Sequence, residues 1–171
     1  APHLSDAALG LGTAPPSHAF SSGAALPSPE VWFPLKLFTC PEGHVVQVDE
    51  VQGHEHLFAP DYAYFSSYSR SWLHHAERYV EKATARLGLE RHSLVVEIAS
   101  NDGYLLQYVA DRGIPCVGIE PTAGTAQAAQ AKGIDTLVRF FGMSFAQEFA
   151  TNRGQPALTL AHQVPAHDPH I

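Results

Sequence analysis

Val95-Val96-Glu97-Ile98-Ala99-Ser100-Asn101-Asp102-Gly103 is a short apolar run that carries an acidic residue, Glu97, and then enters a turn. A stretch of helical character follows over 104 to 112, so the local order is strand, tight turn, helix. The turn residues suit that geometry. Gly103 has no Cβ, and Asn101 and Asp102 tolerate left-handed backbone, so the chain can reverse sharply with one glycine remaining of a glycine-rich pattern. Outward from this stretch, Leu94–Ile98, Pro115–Ile119, Thr136–Val138 and Ala157–Ala161 read as short apolar strands. They alternate with helical stretches at 104–112, 122–132 and 143–151, which predicts an α/β fold with a parallel, doubly wound sheet.

Upstream, Trp72, Leu73, Ala76, Tyr79, Val80, Ala83 and Leu87 recur at helical spacing, while Glu77, Arg78, Glu81 and Lys82 fill the other face. Gly88 ends that helix. Before Ser69 the chain changes character: it is rich in Pro, Ser, Gly and His, with short apolar pieces at Val31–Phe38 and Val45–Val48 that read as strands between turns. Two regions are therefore expected, a turn-rich module over 1–68 and a sheet domain over 69–171. The first has little visible core and is of the kind that a metal commonly staples.

Charge limits the partners. With Lys+Arg 10 against Asp+Glu 17 the formal net charge is -7, and no dense basic cluster offers a footprint for nucleic acid or an anionic membrane. No stretch approaches the roughly 18 apolar residues of a spanning helix, and the first residues lack a basic segment before an apolar core, so the expected location is cytoplasmic. Cys40 and Cys116 lie far apart and imply no disulfide framework.

The turn gains meaning from Glu120, which ends the second strand 19 residues after Asn101, where a carboxylate can accept hydrogen bonds from two ribose hydroxyls. Glu97, just ahead of the turn, fits a ligand that carries an amino group and a sulfonium. A pyrophosphate would favour an uncharged G-x-G-x-x-G loop on a helix N-terminus. The pair of carboxylates therefore points to S-adenosylmethionine rather than NAD.

On these residues, together with Asp61-Tyr62-Ala63-Tyr64-Phe65-Ser66-Ser67-Tyr68-Ser69, Gly118-Ile119-Glu120-Pro121 and Leu137–Gly142 with its Phe140-Phe141 pair, the chain resembles the sugar C-methyltransferases that act on nucleotide-linked deoxysugars. The resemblance implies a partial Rossmann-like methyltransferase sheet preceded by a small zinc-domain-like module. It also implies that one Cys-x-x-Cys pair would precede Ala1 and that a substrate region supplying the general base would follow Ile171. By the resemblance, Glu97, Ala99, Asn101 and Gly103 line the methionine and ribose end of the cofactor and Glu120 holds the ribose hydroxyls. The resemblance further implies that Pro121, Phe140 and Phe141 border the adenine and that one of the candidates Tyr62 and Tyr64 lines the substrate side, where a phenol can donate to a developing oxyanion. The small-molecule partner is a nucleotide-sugar.

Two departures from the family pattern stand out. Where the family runs Asn-Asn-Val after the fourth strand, this chain has His162-Gln163-Val164, with Pro165 following. His162 thus occupies a cofactor-side position. In the metal module, Cys40 keeps a ligand position, Gly43 stands where a second cysteine is expected, and His44 is a substitute ligand at Cys-x-x-x-His spacing. His54 and His56 form a His-x-His pair best read as solvated. The competing functions are a non-catalytic remnant or cofactor-binding module, which the departures favour, and an NAD-dependent sugar oxidoreductase, which the missing glycines disfavour.

Overall fold

The computed structural model describes residues 6–17, 20, 23–25, 29–41, 43–48, 58, 62 and 64–162. The chain divides into two compact units, Ala1–Leu57 and Phe58–Ile171. The break falls before the change of composition at 68/69. The reason is local: the backbone amides of Ser66 and Ser67 donate to side chains of Asn101 and Asp102, which ties this stretch to the second unit.

In the first unit, β1 (Asp6–Ala14) pairs antiparallel with β2 (Phe33–Thr39), and β2 with β3 (Val46–Val48). The strands β2 and β3 lie where the short apolar pieces predict them. β1 was not legible: its sequence, Asp-Ala-Ala-Leu-Gly-Leu-Gly-Thr-Ala, has no clean alternation, and its register shifts between Ala7 and Leu9 and again between Gly10 and Thr13. Such irregularities let glycine-rich strands pair without a continuous side-chain face. Among the described residues of this unit, Cys40 is the one buried core residue.

The second unit opens with a 3-10 turn at Ser66–Tyr68 and then α1 (Arg70–Leu87). Ser69 caps α1 by accepting from the Trp72 amide, and Gly88, at φ 61°, closes it with its N–H on the Thr84 carbonyl. Ala76 and Val80 are the buried stripe of this helix. The chain continues through β4 (Val95–Ile98), α2 (Leu106–Ala110), β5 (Cys116–Ile119), α3 (Ala123–Ala131), β6 (Asp135–Leu137), α4 (Met143–Arg153) and β7 (Leu158–Leu160). The four strands form a parallel sheet in the order β6-β5-β4-β7, so the fold is α/β.

β4 is buried along its whole length, which is why it reads as a run of apolar residues rather than an alternating one. Its pleat divides the core. Val95 joins Ala76, Val80, Leu106 and Val109 on one face, and Val96 joins Val117, Ile119 and Phe149 on the other. Burying a valine side chain fully contributes about 1.5–3 kcal/mol, so these two anchor the sheet firmly between its helical layers. From β4 the chain winds outward to β5 and β6, then returns to place β7 on the opposite side of β4. That reversal makes the carboxyl ends of β4 and β7 a switch point, the place where open parallel sheets take their ligands.

Candidate functional site

The loop leaving β4 holds three alternate residues in the left-handed region, Ala99 at φ 52°, Asn101 at φ 51° and Gly103 at φ 74°. Only the last is a glycine. An L-residue in this region costs roughly 1–2 kcal/mol, less for Asn, whose short polar side chain bonds locally. The loop is pinned from below by Ser100 N on the Ile119 carbonyl and closed by Gly103 N on the Ser100 carbonyl. Two close approaches fix its height. A Cβ on Gly103 would meet Ala129 and Ile134 at 3.2 Å, and one on Gly118 would strike the Ser100 hydroxyl, with Ser100 Cβ at 3.0 Å and Thr136 Oγ1 at 3.2 Å.

Glu97 is 1% exposed, and neither carboxylate oxygen has a hydrogen-bond partner among the described residues. Removal from water pushes its carboxyl up to about 7; His162 and Tyr104 oppose that shift, and the charge of Glu120 adds to it. His162, which follows β7, brings Nδ1 within 3.8 Å of Glu97 Oε1, and that nitrogen is also buried without a hydrogen bond. Its ring meets Tyr79 of α1 edge-on at 4.9 Å. The Tyr104 phenol is held far above its ordinary range, chiefly by burial and then by Glu97.

Glu120 is held by three hydrogen bonds within the protein. Its Oε2 accepts from the Asn101 amide at 2.8 Å, and its Oε1 accepts from the Thr122 amide at 2.9 Å and from the Thr122 hydroxyl. A carboxylate offers about four acceptor sites, so these three bonds orient it and leave room for a ligand hydroxyl. The ends of β4 and β5 are thereby joined through a side chain.

A segment ahead of α1 lies on this loop. Ser66 N donates to Asn101 Oδ1 at 2.9 Å, Asn101 Nδ2 donates to the Tyr64 carbonyl at 3.0 Å, and Ser67 N donates to Asp102 Oδ1 at 3.3 Å. Lys132, at the end of α3, reaches Ser67 Oγ at 2.8 Å, the Asp102 carbonyl at 2.7 Å and Asp102 Oδ2 at 3.2 Å. Tyr62 and Tyr64 ride on this segment with ring centroids 6.5 Å apart. The Tyr62 phenol is raised by burial first, then by Tyr64 and by Glu120, so it stands within the field of the second carboxylate.

The remaining expected residues are spread around this centre. Pro121 is half-buried directly after Glu120. Phe140 is 41% exposed, whereas Phe141 is half-buried and meets Phe145 edge-on at 6.3 Å against the second core cluster. Tyr104, Thr122 and Lys132 were not singled out in the sequence, and Asp102 and Tyr79 stood there only as a turn residue and a helix-stripe residue. Tyr79 hides in the apolar stripe of α1 and Tyr104 in the first residues of a helix-like run. Lys132 gave no signal, because its partners are distant in sequence.

In the first unit the metal candidates form a tight turn. His44 N donates to the Cys40 carbonyl, Cys40 N to the Val45 carbonyl, and Gly43 N to the Cys40 Sγ at 3.3 Å, with His44 at φ 53°. A structural zinc takes four ligands, and no group of three or more His, Cys, Asp or Glu side chains comes together among the described residues. Cys40 and His44 therefore do not complete a zinc site among them, and His54 and His56 lie outside the described residues.

Residues 3–58 match a family model described as "Putative zinc binding domain". The chain is also 31% identical over 148 residues to the C-methyltransferase NovU of Streptomyces niveus, a match covering 83% of this chain and 34% of that protein. The chain is thus similar in sequence to part of a C-methyltransferase. It spans about a third of the length of that relative. The strand, left-handed turn and paired carboxylates lie after the residues that match the zinc-domain model. Among the described residues, no helix is long and apolar enough to cross a membrane.

Proposed function

We propose that this chain carries the methyl-donor half of an S-adenosylmethionine-dependent C-methyltransferase whose substrate is a nucleotide-linked keto-deoxysugar. The observation that carries the reading is Glu97: a carboxylate sealed at the switch point of the sheet, with no hydrogen bond to either oxygen among the described residues and the His162 imidazole 3.8 Å away. Burying an unpaired anion is costly, and the site is relieved by a ligand that brings a cationic donor. The methionine ammonium of the cofactor is such a donor, and Glu120 on the neighbouring strand is aligned for ribose hydroxyls. A dinucleotide would instead set a pyrophosphate against two buried carboxylates.

Bound S-adenosylmethionine supplies an electrophilic methyl group on sulfur. Methylating carbon requires a carbanion equivalent, so a proton next to the sugar ketone must be removed and the enolate held in line with that methyl. Within this chain, Glu97 and the 99–103 backbone orient the donor, and the phenols of Tyr62 and Tyr64 provide the hydrogen-bonding edge facing the sugar. The base belongs to residues other than these.

Calorimetric titration with S-adenosylmethionine and, separately, with NAD tests the reading. Heat of binding with S-adenosylmethionine and none with NAD is expected; NAD binding in the absence of S-adenosylmethionine binding would reject it.

A further inference from the structure

Asn101 stands in the middle of the cofactor loop, yet its side chain is turned away from the carboxylates. Both ends of its amide are engaged by one segment: Oδ1 by the Ser66 amide and Nδ2 by the Tyr64 carbonyl. Only its backbone faces Glu120, through the N–H to Oε2. Asp102 repeats the pattern one residue on, with Oδ1 on the Ser67 amide and Oδ2 on Lys132, which itself returns to Ser67 Oγ. Asp102 is 2% exposed and Asn101 9%; the Ser66–Asn101 bond is buried and shielded from competing water, whereas the other bonds are partly buried and that from Lys132 to Ser67 Oγ is exposed. The result is a two-point latch between residues 64–67 and the turn after β4.

We propose that Asn101 is a positioning residue for the substrate side of the site, its side chain latching the tyrosine-bearing segment onto the cofactor loop while only its backbone serves the cofactor. The inference deepens the reading above and rests on it for the role of Tyr62 and Tyr64. Physically, the latch makes the placement of those phenols depend on the loop that holds the methyl donor. Reacting groups gain from being held in register, and a small misplacement costs rate steeply. The raised Tyr62 phenol, which feels Glu120, is a spectroscopic reporter of whether the segment is seated.

The test uses the full chain with two substitutions. Asn101→Gly removes both side-chain bonds yet accepts the left-handed backbone at that position. Lys132→Met cuts the second point of the latch from a partly exposed site outside the loop. Amide exchange at Ser66 and Ser67, ultraviolet titration of the tyrosines, thermal melting and calorimetry with S-adenosylmethionine are read together. For Asn101→Gly, exchange at Ser66 is expected to quicken about tenfold, as for loss of a buried hydrogen bond. The Tyr62 phenol should titrate closer to its ordinary value. Lys132→Met should quicken Ser67 exchange alone.

Unchanged exchange at Ser66 in Asn101→Gly overturns the proposal, above all if cofactor affinity collapses, since Asn101 would then be a ligand of the cofactor. Loss of fold in Asn101→Gly together with unchanged Ser67 exchange in Lys132→Met overturns it as well. Failure of the unsubstituted chain to bind S-adenosylmethionine counts against the functional reading, while the exchange and tyrosine data still decide on the latch.

Discussion

His162 Nδ1 lies 3.8 Å from Glu97 Oε1 across the switch point between β7 and β4, and neither atom has a hydrogen bond among the described residues. The separation is too long for a bond and short enough for strong coupling in a dry setting. With Glu97 pushed up to about 7 by burial, the charge on this pair changes near neutral pH. Binding a cationic ammonium requires the Glu97 carboxylate. Affinity for S-adenosylmethionine should therefore fall as pH drops below about 7, approaching ~10-fold per pH unit, the limit for one linked proton. Calorimetry between pH 5.5 and 8.5, at roughly half-unit steps, checks this; a flat profile would remove Glu97 from the ammonium site.

Stability of the unliganded protein should move in the opposite direction. The Glu97 carboxyl is raised in the folded state from its ordinary 4.5 to about 7, so the folded chain holds this proton more tightly than the unfolded one. Its contribution is complete below about 4.5 and is lost as pH rises through about 7. Thermal melts of the native protein and of Glu97→Gln isolate the effect. The difference between the two should grow across that window in favour of the glutamine, and a constant difference would refute the assignment.

His162→Asn removes the group that most opposes the burial of Glu97. The midpoint of the cofactor pH profile should move upward, and affinity at pH 7 should drop severalfold while recovering at pH 8.5. These shifts follow from the linkage of protonation to binding. Equal loss at both pH values would mean that the imidazole touches the cofactor directly.

Gly118→Ala places a methyl group under the cofactor loop, against the hydroxyl of Ser100 and within 3.2 Å of Thr136 Oγ1. The loop must lift or β5 must shift, at a cost of about 1–3 kcal/mol typical of overpacking. Cofactor affinity should fall with stability. Denaturant melts that match the native protein would show that the approach is looser than the structure has it.

Ala99 offers a backbone test of the same loop. At φ 52° a β-branched residue is disfavoured, so Ala99→Val should lose about 2 kcal/mol or more. Ala99→Gly should lie between neutral and ~1 kcal/mol more stable, since relief of the left-handed penalty is partly offset by glycine's freedom in the unfolded chain. Urea titrations distinguish these outcomes.

Much of the sheet was legible because burial on both faces writes itself as apolar runs: β4 and β5 appear in the sequence nearly as the structure bounds them. β1 was not, because Gly10 and Gly12 break alternation and its pairing is set by long-range bonds to β2. The helix expected from 104 begins at Leu106, since the turn after Gly103 uses Tyr104 and Leu105 before the helical ladder starts. Within the site, Glu97 and Glu120 stood out as charges at the ends of apolar strands. The latch did not: Ser66 and Asn101 are 35 residues apart, and nothing in local spacing joins a backbone amide to a distant carboxamide. The pairing of His162 with Glu97 was equally hidden, because it depends on β7 returning beside β4.

The bonds from Ser66 and Ser67 to Asn101 and Asp102 bear on how such enzymes can be recombined. A chimera that exchanges the stretch around Tyr62 and Tyr64 for that of a relative, while leaving 97–103 in place, would separate donor and acceptor halves of one interlock. Grafts of this region should move residues 62–68, 97–103 and Lys132 as a single cassette.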